Sequence, residues 1–413
     1  MKIQGKGIKK MKNKKTILII MVLIISILVA SCAGPRELDE LGILVALGID
    51  IENEKIIVTC EIVKPKGSTS GVSGEPTFVY TQSTGDTIFE ALRNVTLEFE
   101  QRLFLSHNRV IVFGEEFAKR GIGDYVNFFL YDNEPRETAN ILVAKGCKAY
   151  DVLGINAGIS DAPGDYLNGL IENFLYTSKT RSMTMMEYVK YFFSNGTPVL
   201  GVVQKVEKMK IGIEQQQTSA LDISGGAVFN GDRLRGYFTP EEMIGFNFIV
   251  NEIEGGLIVF ETPDELSEDN EYIATKGKFT VIEIISSKTK NEIEIVDDKI
   301  NLKINVTLKG VLGEDTKGLM VTELDIKDAI QEACSDKIEE YIRMVMNKAQ
   351  KEFQLDSFSI NVLFHRKYPE EWKKIENDWN GIFSEITYDV NVKTDMIRTS
   401  LIDIPINIEK GRD

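Results

Sequence analysis

The chain has 413 residues, enough for two or three compact domains rather than one. Hydrophobic residues make up 43% and charged residues 27%, a balance that is typical of folded globular proteins and argues against disorder. The formal net charge is -15, and the seven Lys of residues 1–31 mask a still more acidic remainder. A surface this acidic repels polyanions, so nucleic-acid binding is disfavoured and the expected partners are proteins, small molecules or cations.

The first 31 residues have the layout of an export signal. A Lys-rich stretch over residues 1–15 precedes an apolar run over residues 17–30, which only Ser26 interrupts. As a helix this run would span about 21 Å, short of the roughly 30 Å of a bilayer core, which disfavours a permanent transmembrane helix. Residues 1–31 are therefore predicted to be a signal peptide that is removed.

The signal ends in Val29-Ala30-Ser31-Cys32, which resembles the lipobox of bacterial lipoproteins. In that motif small residues fit the signal peptidase, and the Cys thiol carries a diacylglyceryl group. Cys32 is thus the predicted lipidation site and mature N-terminus, where two acyl chains would anchor stably and one would be marginal. The alternatives are a free Cys after an ordinary signal peptide and an uncleaved anchor.

The first part of the mature chain alternates strands and helices. Residues 41–50 and 55–63 are β-rich runs that suit a hairpin, and the Gly-, Ser- and Pro-rich residues 64–76 predict a loop. That loop is either a plain solvated connection or a partner-binding segment. Two later strands are expected at 109–113 and 139–144. Helices are expected from Thr87 onward, at 115–119 and at 123–131. This alternation predicts an α/β domain.

Helical patterns occur between 164 and 194, and β-like stretches follow from 199 to 309, with a boundary near 215. A long helix is predicted over 323–353, because apolar residues recur there at steps of four and three. The stripe consists of Ile326, Ile330, Cys334, Ile338, Tyr341, Val345, Ala349 and Phe353. Such a stripe needs a cover, which strands at 357–364 and 385–392 and the preceding β-rich runs could supply.

These patterns predict a mixed α/β (α+β) ectodomain with mixed sheets, which we divide into three domains. The domains are an N-terminal α/β domain over 32–214, a middle β-rich domain over 215–290, and a C-terminal domain over 291–413. In the last domain the long helix is expected to pack on a sheet of antiparallel strands.

The sequence offers little material for catalysis or metal binding. Phosphate-binding, dinucleotide-binding, nucleophile-elbow, zinc-protease and calcium-loop motifs are absent from the 413 residues. His107 and His365 are far apart in the chain without a Cys or His neighbour, so each is expected to be structural. Cys60, Cys147 and Cys334 make an odd set without CxxC spacing, so a disulfide framework is not expected. We predict no catalytic residue, no cofactor and no metal site.

Trp372 and Trp379 are seven residues apart, on one face of a predicted short helix. The favoured interpretation is that both anchor the core, and the alternative is an exposed aromatic patch for a protein or lipid headgroups.

Four blocks, in order, resemble the spore-germination receptor C-subunit lipoproteins, the Ger(x)C family. They are RELDELGILVALGIDIE (36–52), FLSHNRVIVFGEEFAKRGI with EPRETANILVAKG (104–146), GGAVFNGDRLRGYFTPEEMIGFNFIVNEIEGGLIVF (225–260) and YPEEWKKIENDWNGIFSEITYDVNV (368–392). No single block is diagnostic, but their order and spacing are. The resemblance implies three domains of mixed α/β character, a lipid anchor at the exported face of the spore inner membrane, and assembly with two integral-membrane subunits, A and B.

The leading hypothesis is therefore a non-catalytic, membrane-anchored subunit of a nutrient germinant receptor. Whether this subunit itself contacts a small-molecule germinant stays open. The alternative is a solute-binding lipoprotein of a membrane transporter, which should have two similar lobes around a cleft. A third hypothesis is a cell-wall hydrolase with paired carboxylates.

Overall fold

The computed structural model describes residues 41–63, 78–132, 134–156, 158–159, 162–194, 196–207, 219–263, 279–315 and 324–398, together with Met21. The predicted loop over 64–76 and Cys32 lie outside these residues. The described strands form two sheets, one of nine strands and one of four.

The first sheet contains the first nine strands of the chain. They are β1 (Leu41–Glu52), β2 (Lys55–Val63), β3 (Phe78–Gly85), β4 (Arg102–Phe104), β5 (Val110–Gly114), β6 (Asn140–Ala144), β7 (Val199–Glu207), β8 (Ser219–Asn230) and β9 (Arg233–Phe238). Their order is β3-β2-β1-β5-β6-β7-β8-β9, with the short β4 paired to β1. The four central strands β1, β5, β6 and β7 run parallel, and the flanking pairs are antiparallel. The sheet is therefore mixed, as the sequence predicted.

Helices cover both faces of this sheet. They are α1 (Ile88–Asn94), α2 (Glu115–Arg120), α3 (Gly123–Tyr131), α4 (Ala149–Val152), α5 (Pro163–Glu172), α6 (Phe174–Thr177) and α7 (Met185–Phe193), with 3-10 turns at Val95–Leu97 and Leu105–His107. One core joins α1, α2, α3 and α7 to one face, and a smaller core joins α4 and α5 to the other. Every residue of β5 is buried, as expected for a central parallel strand covered on both sides.

The second sheet consists of β10 (Leu257–Glu261), β11 (Phe279–Val296), β12 (Lys299–Asp315) and β13 (Thr387–Arg398), in that order. The helices of this half are α8 (Pro240–Val250), α9 (Leu324–Asn347), α10 (Ile360–Lys367), α11 (Pro369–Ile375) and α12 (Trp379–Phe383), with a π-helix at Lys348–Phe353 and a 3-10 turn at Glu376–Asp378. The long helix packs on the sheet, where the Ser335 hydroxyl lies 2.9 Å from the Thr394 hydroxyl of β13. The predicted long helix on a sheet is confirmed.

Helix α8 connects the two halves. It follows β9 of the first sheet and leads to β10 of the second, and all its positions from Glu242 to Ile249 are buried. It crosses α9 so closely that a β-carbon at Gly245 would overlap the Tyr341 carbonyl oxygen. Only glycine permits this approach, because any side chain would push the two helices apart.

Two expectations for the C-terminal half are corrected. Residues 357–364 do not form a strand: a short loop leads into α10, whose first backbone N–H groups bond to the carboxylate of Asp356. This buried cap outweighs the β-like apolar pattern of the segment. β13 runs parallel to β12, not antiparallel, because the helices between them carry the chain back across the sheet.

The division into domains at 215 and 290 stays a prediction. The strands β8 and β9, which it assigns to a middle domain, pair in the first sheet, and β10 and β11 pair in the second.

Candidate functional site

Cys32 is the one functional residue predicted from the sequence, and it lies outside the described residues. What the structure places is the strand that follows it. β1 begins at Leu41, which pairs with Arg102 of β4 at one end of the first sheet. An anchor at Cys32 would therefore attach to this end of the sheet.

The two histidines do not come together as a site. His107 is exposed, and its ring lies 5.4 Å from the ring of Phe104. His365 is also exposed, and it stacks on Trp372 at a ring distance of 5.5 Å. Each histidine has one aromatic neighbour, and the structural role expected of it stays a prediction.

The thiols also stay apart from one another. Cys60, Cys147 and Cys334 are free, and Cys60 and Cys334 are fully buried. Burial raises the pKa of each of these two thiols to about 12, so neither is a ready thiolate. Cys334 is on the face of α9 that packs into the core, as its position in the apolar stripe predicted. Within the described residues no group of three or more His, Cys, Asp or Glu side chains could hold a metal ion.

Asp50 is a buried carboxylate that the sequence analysis missed. Its oxygens accept hydrogen bonds from the backbone N–H groups of Ala149 (2.8 Å) and Tyr150 (3.3 Å) at the start of α4. Burial raises the pKa of Asp50 to about 6, although both backbone hydrogen bonds oppose that rise. Gly114 makes room for it, since a β-carbon there would overlap the Asp50 carboxylate. The sequence contained one signal for this buried carboxylate: an acidic residue directly after the apolar run 41–49.

Glu61 has the same role one strand away. It is fully buried and accepts hydrogen bonds from the Gly164 N–H at the start of α5 (2.9 Å) and from the Tyr80 hydroxyl (2.7 Å). Burial raises the pKa of Glu61, and these two hydrogen bonds counteract it. Asp50 and Glu61 therefore each hold a helix N-terminus against the sheet. The hydrogen bonds to both carboxylates come from backbone N–H groups and, for Glu61, also from the Tyr80 hydroxyl.

Asp356 organises the tryptophan pair. One carboxylate oxygen accepts from the Asn361 N–H (2.6 Å) and the Trp379 indole N–H (2.8 Å), and the other accepts from the Phe358 and Ile360 N–H groups (3.1 Å each). Burial raises the pKa of Asp356, and these bonds oppose the rise. Trp379 and Trp372 are 6% and 8% exposed, so the prediction that both anchor the core is confirmed.

The junction between the two halves carries a buried cation. Arg181 precedes α7, and its guanidinium donates a hydrogen bond to the carboxylate of Glu252, just after α8, at 2.9 Å. The same group lies over the rings of Tyr191 (5.8 Å) and Phe246 (5.4 Å). Beside it, the Asn247 amide donates to the carbonyl oxygens of residues 178 and 180 at 2.9 and 2.8 Å. These contacts bind α8 firmly to the first half.

Two open depressions could admit a small molecule. One, of about 690 Å³, lies on α9 beside Tyr388, and the other, of about 780 Å³, lies along β3 beside Tyr80 and Phe99. Sites for small ligands usually enclose most of the molecule, which neither depression does. The two sheets also differ in size and order, unlike the similar lobes expected of a solute-binding lipoprotein.

Comparison with known proteins identifies the family. A model described as "Spore germination protein N-terminal domain" matches residues 34–205, and one described as "Spore germination B3/ GerAC like, C-terminal" matches residues 224–400. The chain is 25% identical to spore germination protein KC of Bacillus subtilis over 95% of this chain and 98% of that protein. It is 26% identical to spore germination protein B3 of the same organism, over 88% and 92% of the two chains.

A solved structure shows the same fold. The crystal structure of the GerBC protein matches with a TM-score of 0.55 at 20% identity, and the match covers 85% of this chain and 96% of that one. The mixed α+β architecture predicted from the sequence is thereby confirmed. Two family models in sequence order, relatives of matching length and a shared fold agree, and the chain belongs to the Ger(x)C family of spore germination proteins.

Proposed function

We propose that this chain is the non-catalytic C subunit of a nutrient germinant receptor, held at the membrane by acylated Cys32 and assembled with membrane subunits A and B. The observation that carries the proposal is the ordered match of both spore germination models over residues 34–205 and 224–400. The named relatives that match over most of their length are spore germination proteins.

The distribution of polar groups supports a role in assembly. The buried carboxylates Asp50, Glu61 and Asp356 are each occupied by helix N-termini, which makes them elements of stability rather than a reacting pair. The ion pair between the buried Arg181 and the partly exposed Glu252 joins the two halves. A subunit built in this way would present fixed surfaces to its partners.

Anchoring through Cys32 is supported by the sequence of residues 29–32, which resembles a lipobox. Among the described residues no helix is both long and apolar enough to cross a bilayer. The acyl chains on Cys32 would provide the membrane attachment that the proposal requires.

The proposal can be tested by isolating the chain from detergent-solubilised spore membranes with an affinity tag after residue 413. The expected result is co-isolation of two integral-membrane subunits, A and B. A Cys32→Ala variant should leave the membrane fraction and lose both partners. Cys147→Ala is the matched control, because Cys147 is only half-buried and should tolerate the change. Recovery of the wild-type chain without either subunit would refute the proposed assembly.

A further inference from the structure

The start of β1 lies at one end of the first sheet, together with β4, the end of β2 and the start of β3. Leu41 pairs with Arg102, Ile43 pairs with Val63 at the end of β2, and Val63 pairs with Phe78 at the start of β3. We call this the Leu41 end of the sheet. The opposite end lies at the hairpin between β1 and β2, roughly 37 Å away for a strand of this length.

Large apolar side chains are exposed at the Leu41 end. Leu97 is 80% exposed and Tyr131 is 91% exposed, while Leu130 is 48% exposed. Leu97 closes the 3-10 turn after α1, and Tyr131 is the last residue of α3. Isolated exposed apolar residues are common, so their position has to carry the argument.

Three contacts fix these residues next to the start of β1. The ring of Phe99, two residues after Leu97, packs so closely over Gly42 that a β-carbon there would lie 2.8 Å from it. Just beyond Tyr131, Glu134 forms an ion pair with Arg102 of β4. The Glu134 carbonyl oxygen also accepts a hydrogen bond from the Ser106 hydroxyl at 2.8 Å. The turn after α1 and the end of α3 therefore both lie at this end.

Chain length limits how far this end can be from an anchor. Nine residue steps separate Cys32 from Leu41, and a fully extended chain covers roughly 30 Å in nine steps. With acyl chains on Cys32, the Leu41 end lies within roughly 30 Å of the anchor, whereas the hairpin end can lie roughly 37 Å farther away. Side chains exposed at the Leu41 end are therefore within reach of the lipid interface.

The geometry points to a lipid-contacting face at the Leu41 end, in which Leu97 and Tyr131 enter the membrane interface. This inference rests on the proposed anchoring through Cys32. A tyrosine is favourable at the level of the lipid headgroups, where its ring contacts apolar groups and its hydroxyl hydrogen-bonds to water. A leucine is favourable slightly deeper, where the acyl chains begin. Glu98 and Glu100 are exposed nearby, and Arg102 is engaged by Glu134. Contact should therefore be apolar and should not require anionic lipid, which the exposed glutamates would repel.

The test places a tryptophan at the face and reconstitutes the full lipidated chain in phosphatidylcholine vesicles, with and without brominated acyl chains. The variants are Leu97→Trp and Tyr131→Trp. The matched control is Glu116→Trp on α2, which follows the far end of β5 and is exposed. Trp372 and Trp379 are buried and common to all variants, so the unsubstituted chain supplies the background.

Brominated lipid should quench the added fluorescence of Leu97→Trp and Tyr131→Trp at least twofold more than that of Glu116→Trp. Flotation of the same vesicles reports the anchor separately. A chain that floats with all three positions equally quenched or unquenched overturns the proposed face and leaves the anchor intact. A chain that does not float overturns both. The quenching of Leu97→Trp by brominated lipid could also disappear when subunits A and B are added. That result would show that a protein covers this position in the receptor, and it would also overturn the lipid face.

Discussion

Gly245 stands where α8 crosses α9, and a single methyl group there should force the two helices apart. A β-carbon at this position would lie 2.5 Å from the Tyr341 carbonyl carbon and 3.0 Å from the Ile342 nitrogen. These are backbone atoms of α9, so no side chain can rotate to relieve the overlap. The whole helix would have to move, against a core in which Ile342 and its neighbours are buried.

The size of the effect follows from two opposing terms. Overpacking at a rigid site costs about 3 kcal/mol, the upper part of the usual range, and replacing a helical glycine by alanine returns about 1 kcal/mol. We therefore expect Gly245→Ala to lower the free energy of unfolding by about 2 kcal/mol. Gly169→Ala is the matched control, because Gly169 is also inside a helix and its β-carbon would meet nothing within 4 Å. That variant should be more stable than the wild type by up to about 1 kcal/mol.

Urea unfolding followed by tryptophan fluorescence and by far-UV circular dichroism measures both variants. Trp372 and Trp379 report directly, since both lie in the same core as α8 and α9. The midpoint should fall for Gly245→Ala and rise for Gly169→Ala, with unchanged slopes. If Gly245→Ala unfolds at or above the wild-type midpoint, the close helix crossing is wrong.

Two further predictions concern the buried carboxylates. Because burial raises the pKa of Asp50 from 3.8 to about 6, the folded chain holds a proton that the unfolded chain releases, and Asp50 makes the wild type lose stability as pH rises through this window. Relative to Asp50→Asn, the wild type should lose about 2 kcal/mol between pH 4 and pH 6; parallel stability curves from urea unfolding at each pH would contradict this. Trp379→Phe removes the indole bond to Asp356 and should cost about 2 to 3 kcal/mol. Trp372→Phe should cost about 1 kcal/mol in the same assay, and equal losses would argue against the Asp356 bond as the cause.

The sequence predicted best where a long periodic pattern decides the structure. The stripe from Ile326 to Phe353 identified the long helix, and its members from Ile330 onward are buried. Its steps are mostly four residues, slightly more than one α-helical turn, so the stripe drifts around the helix. The wider π-helix at Lys348–Phe353 offsets this drift and keeps Ala349 and Phe353 facing the core. The spacing of the apolar residues thus predicts the long helix and also explains why it ends in a π-helix.

The sequence failed where one polar contact outweighs a pattern. Residues 357–364 carry apolar and β-branched side chains, yet the Asp356 carboxylate starts a helix there. Likewise Asp50 and Glu61 lie within apolar strands, but the helices they cap begin about 100 residues later in the chain. Such contacts depend on tertiary structure, and local sequence patterns do not reveal them.

The central claim is that this chain serves nutrient germination as a membrane-anchored receptor subunit. The most direct test compares dipicolinic acid release from spores that carry the wild-type chain, the Cys32→Ala chain or no chain, after addition of nutrients. We expect release to fail to the same extent in the deletion and in Cys32→Ala spores. Normal nutrient response in the deletion spores across amino acids and sugars would contradict the receptor role, and normal response in Cys32→Ala spores alone would contradict the anchor.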